Sequence, residues 1–158
     1  MNSTRQLSVF ALAVSLVILS GFSDPTRAQQ STSAPKAQDT LYKRLGGYDA
    51  LAAVTDDFLA RLMADPQLKR FFQGVSADSG KRIRQLVLDQ LCAATGGPCV
   101  YIGRDMKTSH AGLGITQGDW DTMAKHLVAS LDKFKVPERE KKEVLDALTP
   151  LQADIVEK

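Results

Sequence analysis

From Thr40 onward, apolar residues return every three or four positions, the spacing that gathers them on one side of an α-helix. Leu51, Val54, Phe58 and Leu62 make one such stripe, and Ile83, Leu86, Val87, Leu91 and Ala94 make a second. Trp120, Met123, Ala124, Leu127, Val128, Leu131 and Phe134 form a third, and Val144, Leu148, Leu151 and Ile155 a last. No stretch of this region alternates with the period of two that a half-buried strand requires. The pattern predicts an all-α fold.

The breaks between stripes are set by residue type. Gly46-Gly47 ends a short first helix, and Asp65-Pro66 interrupts the second, because proline drives the residue before it out of helical geometry. Gly96-Gly97-Pro98 closes the third, glycine serving the C-terminal cap and proline being unable to continue the ladder. Thr116 can cap the next helix, with Asp119 favourable near its positive end. Pro137 suits the first turn of the last. Tyr101 to Ser109 reads as a loop with one or two helical turns. The expected order is a short helix, two moderate helices, a loop carrying His110, and two long C-terminal helices.

The first residues follow a different rule. Arg5 gives a positive start, Leu7 to Phe22 is apolar, and Pro25-Thr26-Arg27-Ala28 places small residues where a signal peptidase reads. Residues 1–28 are therefore expected to be a secretory signal, leaving an exported chain, periplasmic or secreted, without stable membrane insertion after cleavage. An uncleaved anchor is the alternative; spanning a bilayer takes about 20 apolar residues. Residues 29–39, rich in Gln, Ser, Thr, Ala and Pro, are expected to be a disordered linker to one domain over 40–158.

Charge adds little. Twenty basic residues stand against 18 acidic ones, so no field favours nucleic acid or an anionic membrane. Cys92 and Cys99 flank the Gly96-Gly97-Pro98 turn. In an oxidising compartment they can form a bridge, two free thiols being the alternative. No nucleophile with a base, carboxylate pair or phosphate-cradling loop is evident. Of the two histidines, His126 falls with Thr122 and Lys133 on the polar face of its helix, where it is expected to be solvated. His110 lies among small residues just before an amphipathic helix. A neutral imidazole there can bind a metal through one ring nitrogen, although a lone histidine before a helix also serves as a capping or solvated residue.

An ordered set of motifs favours the metal ligand. Leu41-Tyr42-Lys43-Arg44-Leu45-Gly46-Gly47, then Asp57-Phe58, Ala64-Asp65 and Phe71-Phe72-Gln73-Gly74, are followed by Gly96-Gly97-Pro98. Tyr101, Gly103, Met106-Lys107, His110, Gly114-Ile115-Thr116 and Val136-Pro137 complete it. The chain resembles the group I truncated haemoglobins over about residues 40 to 156. The resemblance implies a shortened globin of two helices over two, with non-covalent haem b and its iron held by His110. It implies haem contacts from Phe58, Phe71, Phe72, Ile83, Val87, Tyr101 and Met106. Lys107, and less directly Arg104, would pair with a haem carboxylate.

The departures from the family pattern carry as much meaning. Members place a tyrosine where this chain has Leu59, glutamine where it has Ile83 or Val87, and in some cases histidine where it has Leu86. The distal pocket of Leu59, Ile83, Leu86, Val87 and Gln90 thus lacks the usual hydrogen-bond donors, Gln90 being either a substitute donor or a polar side chain at the pocket edge. Weak dioxygen retention follows, since a lost hydrogen bond is worth roughly 1–3 kcal/mol. Gln152 stands where some members attach haem through a histidine, and no Cys-x-x-Cys-His motif occurs. The implied function is reversible binding of diatomic gases (O2, CO, NO), for oxygen binding or, with an electron donor, nitric oxide detoxification of dioxygenase type. A haem-based electron-transfer or haem-carrying protein is the alternative, and a helical interaction module without haem is a third.

Overall fold

A computed structural model describes residues 39–158. The expected signal, 1–28, and all but the last residue of the expected linker, 29–39, lie outside the described residues.

Among the described residues seven α-helices follow one another: α1 (Leu41–Arg44), α2 (Gly47–Ala64), α3 (Ala77–Ala94), α4 (Met106–His110), α5 (Gln117–Lys133), α6 (Glu138–Leu148) and α7 (Gln152–Ile155). Tighter turns of 3-10 type join α2 to α3 at Lys69–Phe72 and α6 to α7 at Thr149–Leu151. The described residues contain no strand. The pair α2 and α3 packs against the pair α5 and α6 in a two-over-two sandwich. Val54, Phe58, Leu59 and Leu62 of α2 meet Leu127 and Leu131 of α5 and Val144 of α6 in the main core. Burying each such side chain is worth roughly 1.5–3 kcal/mol, so this contact is what the stripes of α2 and α5 exist to make.

The helix starts follow side-chain chemistry. Thr40, Ser76, Asp105 and Thr116 each accept a hydrogen bond from a first-turn backbone N–H. At α5 the arrangement is reciprocal: the Thr116 hydroxyl takes the Asp119 N–H, and the Asp119 carboxylate takes the Thr116 N–H at 2.9 Å.

Three expectations change. The last apolar stripe is not one long helix; α6 stops at Leu148, because Pro150 favours a tight 3-10 turn before α7 begins. Phe134 is not a core residue but the C-cap of α5, 41% exposed, with Lys135 beyond it in left-handed geometry (φ 58°). Pro137 stands at the N-cap of α6 in extended geometry, one position before the first turn.

Candidate functional site

The chemistry of the site begins on α4. Five residues do not hold a helix by themselves, since the nucleating turn fixes three residues for one bond. Asp105 pins the start: its carboxylate takes the Thr108 N–H at 2.7 Å and the Thr108 hydroxyl at 2.9 Å. The same bonds hold the Asp105 carboxyl below its ordinary pKa. His110 closes the helix half-buried, its Nδ1 2.8 Å from the Met106 carbonyl oxygen. A carbonyl only accepts, so Nδ1 carries the proton and Nε2 keeps a free lone pair. A ring oriented through one nitrogen and offering the other is what an axial metal ligand requires.

His110 lines a cavity of about 460 Å³. Phe58, Leu59 and Leu62 of α2 form part of its wall, with Phe71 and Phe72 from the 3-10 turn. α3 gives Ile83, Leu86, Val87, Gln90 and Leu91, and the proximal segment adds Tyr101 and Met106. Of the residues expected to touch a cofactor or a distal ligand, Lys107 and Arg104 fall outside this wall, Lys107 exposed on α4. Arg104 is exposed as well.

The cavity also explains an irregularity in burial. Ile83, Leu86 and Val87 form the apolar stripe of α3, yet all three are only half-buried. All three line the slot, and Ile83 and Val87 also pack against the edge of the main core. Further wall residues escaped the sequence reading: Trp120 and Met123 of α5, Leu148 at the end of α6, and Leu151 and Ile155 beyond it. Each belongs to a predicted apolar stripe. Periodicity marks a residue as inward-facing without distinguishing protein core from cofactor wall.

Local geometry fixes the aromatic parts of the wall. The Tyr101 hydroxyl donates to the Arg104 carbonyl at 2.7 Å, folding the ring over Gly103. A Cβ at Gly103 would lie 2.2 Å from that hydroxyl, so a side chain there would displace the Tyr101 ring. The turn bearing Phe71 and Phe72 is tied to the start of α5 by Asp119, which is only 2% exposed. Gln67 donates to it at 2.8 Å and Arg70 at 2.7 Å. Burial pushes the Asp119 carboxyl upward, but the Thr116 and Gln67 hydrogen bonds and the Arg70 charge outweigh it and bring the pKa to about 2. Arg70 also stacks 4.5 Å from the Phe71 ring centre.

Cys92 and Cys99 are joined, with a Cα–Cα distance of 5.7 Å. The link ties the end of α3 to the loop that leads into Tyr101. Gly97 makes room for it: a Cβ there would lie 2.6 Å from the Cys92 sulfur and 2.8 Å from the Cys92 carbonyl oxygen.

His126 departs from expectation. Its Nε2 lies 2.8 Å from an Asp65 carboxylate oxygen and its side chain is 25% exposed, so it joins α5 to the end of α2 instead of facing solvent freely. It does not line the cavity.

A slot walled by aliphatic and aromatic side chains, entered by one neutral imidazole with a free lone pair, fits a porphyrin whose iron takes that lone pair. Fold and site together define a haem-binding globin of the two-over-two type. A family model described as "Bacterial-like globin" matches residues 40–157. The Group 1 truncated hemoglobin GlbN of Mycolicibacterium paratuberculosis is 37% identical over 116 residues, covering 73% of this chain and 83% of that protein. GlbN of a Nostoc species is 35% identical, covering 75% of this chain and 98% of its own. Among solved structures, truncated hemoglobin from Tetrahymena pyriformis in the Fe(III) form superposes with a TM-score of 0.69 at 27% identity, covering 75% of this chain and 99% of the other. The 2/2 hemoglobin of a Synechococcus species, solved in the cyanomet state with covalently attached heme, gives 0.68 at 26% identity with the same two coverages. The chain belongs to the bacterial-like globin family. Its haem is non-covalent: where covalent attachment would need a histidine on the last helix, Gln152 instead donates to Gln117 at 2.6 Å.

Proposed function

We propose that this protein is an exported gas-binding globin, tuned toward carbon monoxide and nitric oxide and holding dioxygen weakly. One observation carries the reading: His110 presents a free Nε2 in a cavity whose Leu59, Ile83, Leu86 and Val87 walls have no donor to offer. Haem supplies the gas-binding iron. Phe58, Phe72, Ile83 and Val87 would hold it by burial and His110 would ligate its iron, with Lys107 assigned to a haem carboxylate. Polar dioxygen depends on a nearby donor, and the less polar carbon monoxide and nitric oxide depend on it less. Gln90 is the substitute donor that α3 brings to the cavity wall. None of the aliphatic distal residues can act as a general acid, which disfavours peroxidase chemistry. Nitric oxide dioxygenation would require an electron donor to restore the ferrous state.

Spectral titration of the reduced, haem-loaded protein with each gas tests this. Tight carbon monoxide and nitric oxide complexes, with rapid oxidation in air, are expected. A long-lived dioxygen complex would contradict it. Export rests on the N-terminal layout of residues 1–28 and agrees with the cysteine link. Mass spectrometry of the protein after cell fractionation should find a chain beginning near Gln29 outside the cytoplasm. A full-length chain confined to the cytoplasm would refute export.

The electron-transfer reading needs a second protein ligand on the iron. The other histidine, His126, is committed to Asp65 and lies off the cavity.

A further inference from the structure

The loop after α4 is held by the far end of the chain. Gly112 and Gly114 turn in left-handed geometry, φ 79° and 64°. Both donate to one carboxylate, that of Glu157: Gly112 to Oε1, and Gly114 to Oε2 at 2.7 Å. The attachment continues along the backbone. The Glu157 N–H donates to the Ile115 carbonyl at 2.8 Å, and the Gln117 N–H to the Lys158 carbonyl at 3.2 Å. Just before it, Leu151 and Ile155 line the cavity together with His110, Leu113 and Ile115. The C-terminal segment is therefore both wall and clamp on the proximal side.

This matters because α4 is too short to orient His110 unaided. The Met106 carbonyl sets the tautomer, but the direction of the ring follows the helix, and the helix follows its two ends. Asp105 pins the first end by side-chain capping. The second end has no such cap, and Glu157 closes it through the glycine turn. We propose that Glu157 is a positioning residue for the iron ligand: its bidentate hold on Gly112 and Gly114 fixes the tilt of the His110 imidazole toward the iron. A charged acceptor shared by two N–H groups is stronger than a neutral one, and the glycines supply the geometry that lets both reach it.

The test uses the reduced, ligand-free haem protein. Resonance Raman reads the iron–histidine stretch, and transfer of haem to an excess of apomyoglobin reads the rate of haem loss. Glu157→Ala should shift or broaden the stretch and speed haem loss about fivefold, the effect of losing about one net hydrogen bond. Glu157→Gln, which keeps one acceptor oxygen, should fall between. Asp154→Ala, on the exposed face of α7, removes the same charge and should change neither readout. A second background separates orientation from general loosening. In His110→Gly supplied with free imidazole, the ligand is no longer tied to α4, so Glu157→Ala should leave the iron–imidazole stretch unmoved. The inference falls if Glu157→Ala matches wild type in both readouts, or if the shift persists at equal size in the imidazole-bearing background. Absence of any iron–histidine band in wild type would instead strike the His110 assignment, and this inference with it.

Discussion

Leu59 is 8% exposed and turns its branched, donor-free side chain to the cavity. Replacing it by tyrosine would put a phenol where the wall has none. Leu59→Tyr is expected to slow dioxygen release by about ten- to hundredfold, corresponding to roughly 1–3 kcal/mol for a hydrogen bond to a partly charged acceptor. Carbon monoxide release should change far less. Stopped-flow measurement of both rates checks this, and a wild-type dioxygen rate already slow and indifferent to the substitution would point to Gln90 as a donor. Asp119 gives a second residue-scale expectation. Its folded pKa of about 2 lies below the ordinary 3.8, so its stabilising effect is complete above pH of about 4 and fades as pH falls through 2. A difference of nearly two units corresponds to about 2 kcal/mol, and the side chain is buried enough that solvent screens little of it. Asp119→Asn should therefore lower the melting temperature at neutral pH and remove part of the acid dependence between pH 4 and 2. An unchanged acid profile would refute the assignment. Residues of this kind were the least legible in the sequence. His126 fell on the polar side of its helix by periodicity, but the Asp65 carboxylate that claims it comes from 61 positions away. The tie of Asp119 to Gln67 and Arg70 and that of Glu157 to Gly112 and Gly114 are equally non-local.

At the scale of elements, punctuation by glycine, proline and capping residues was readable because it acts through neighbours in the chain. Gly46, Pro66, the Gly96-Gly97-Pro98 turn and the Thr116 cap all fall at the borders of the helices. Pro150 was passed over because the apolar spacing of Val144, Leu148, Leu151 and Ile155 runs through it, and a 3-10 turn preserves nearly the same face. The turn after α3 offers a direct test of element packing. Gly97→Ala would drive a methyl into the Cys92 sulfur, the Cys92 carbonyl oxygen and the Tyr42 ring. Neither the linked sulfur nor the backbone oxygen can easily yield, so a loss of about 1–3 kcal/mol is expected, read as a lower urea midpoint. Gly80→Ala, with open space around its Cβ and helical geometry, should be neutral or mildly stabilising. Equal effects at the two positions would contradict the packing described.

For the whole molecule, the stripes of α2 and α5 announced a helical sandwich, since each must bury its face against another. They could not announce a cavity. A helix face lining a haem slot and one lining a protein core carry the same pattern, and the half-burial of Ile83, Leu86 and Val87 appears only in three dimensions. The motif order around His110 pointed to the slot where periodicity was silent. The gas binding proposed for this protein depends on one bond, from His110 Nε2 to iron. Haem content and visible spectrum of the purified protein and of His110→Ala test it most directly. The account expects one haem per chain in the wild type, and in the variant a loss of haem or a displaced Soret band with no iron–histidine stretch in the ferrous state. Wild-type haem content with an unchanged Soret band in His110→Ala would contradict it.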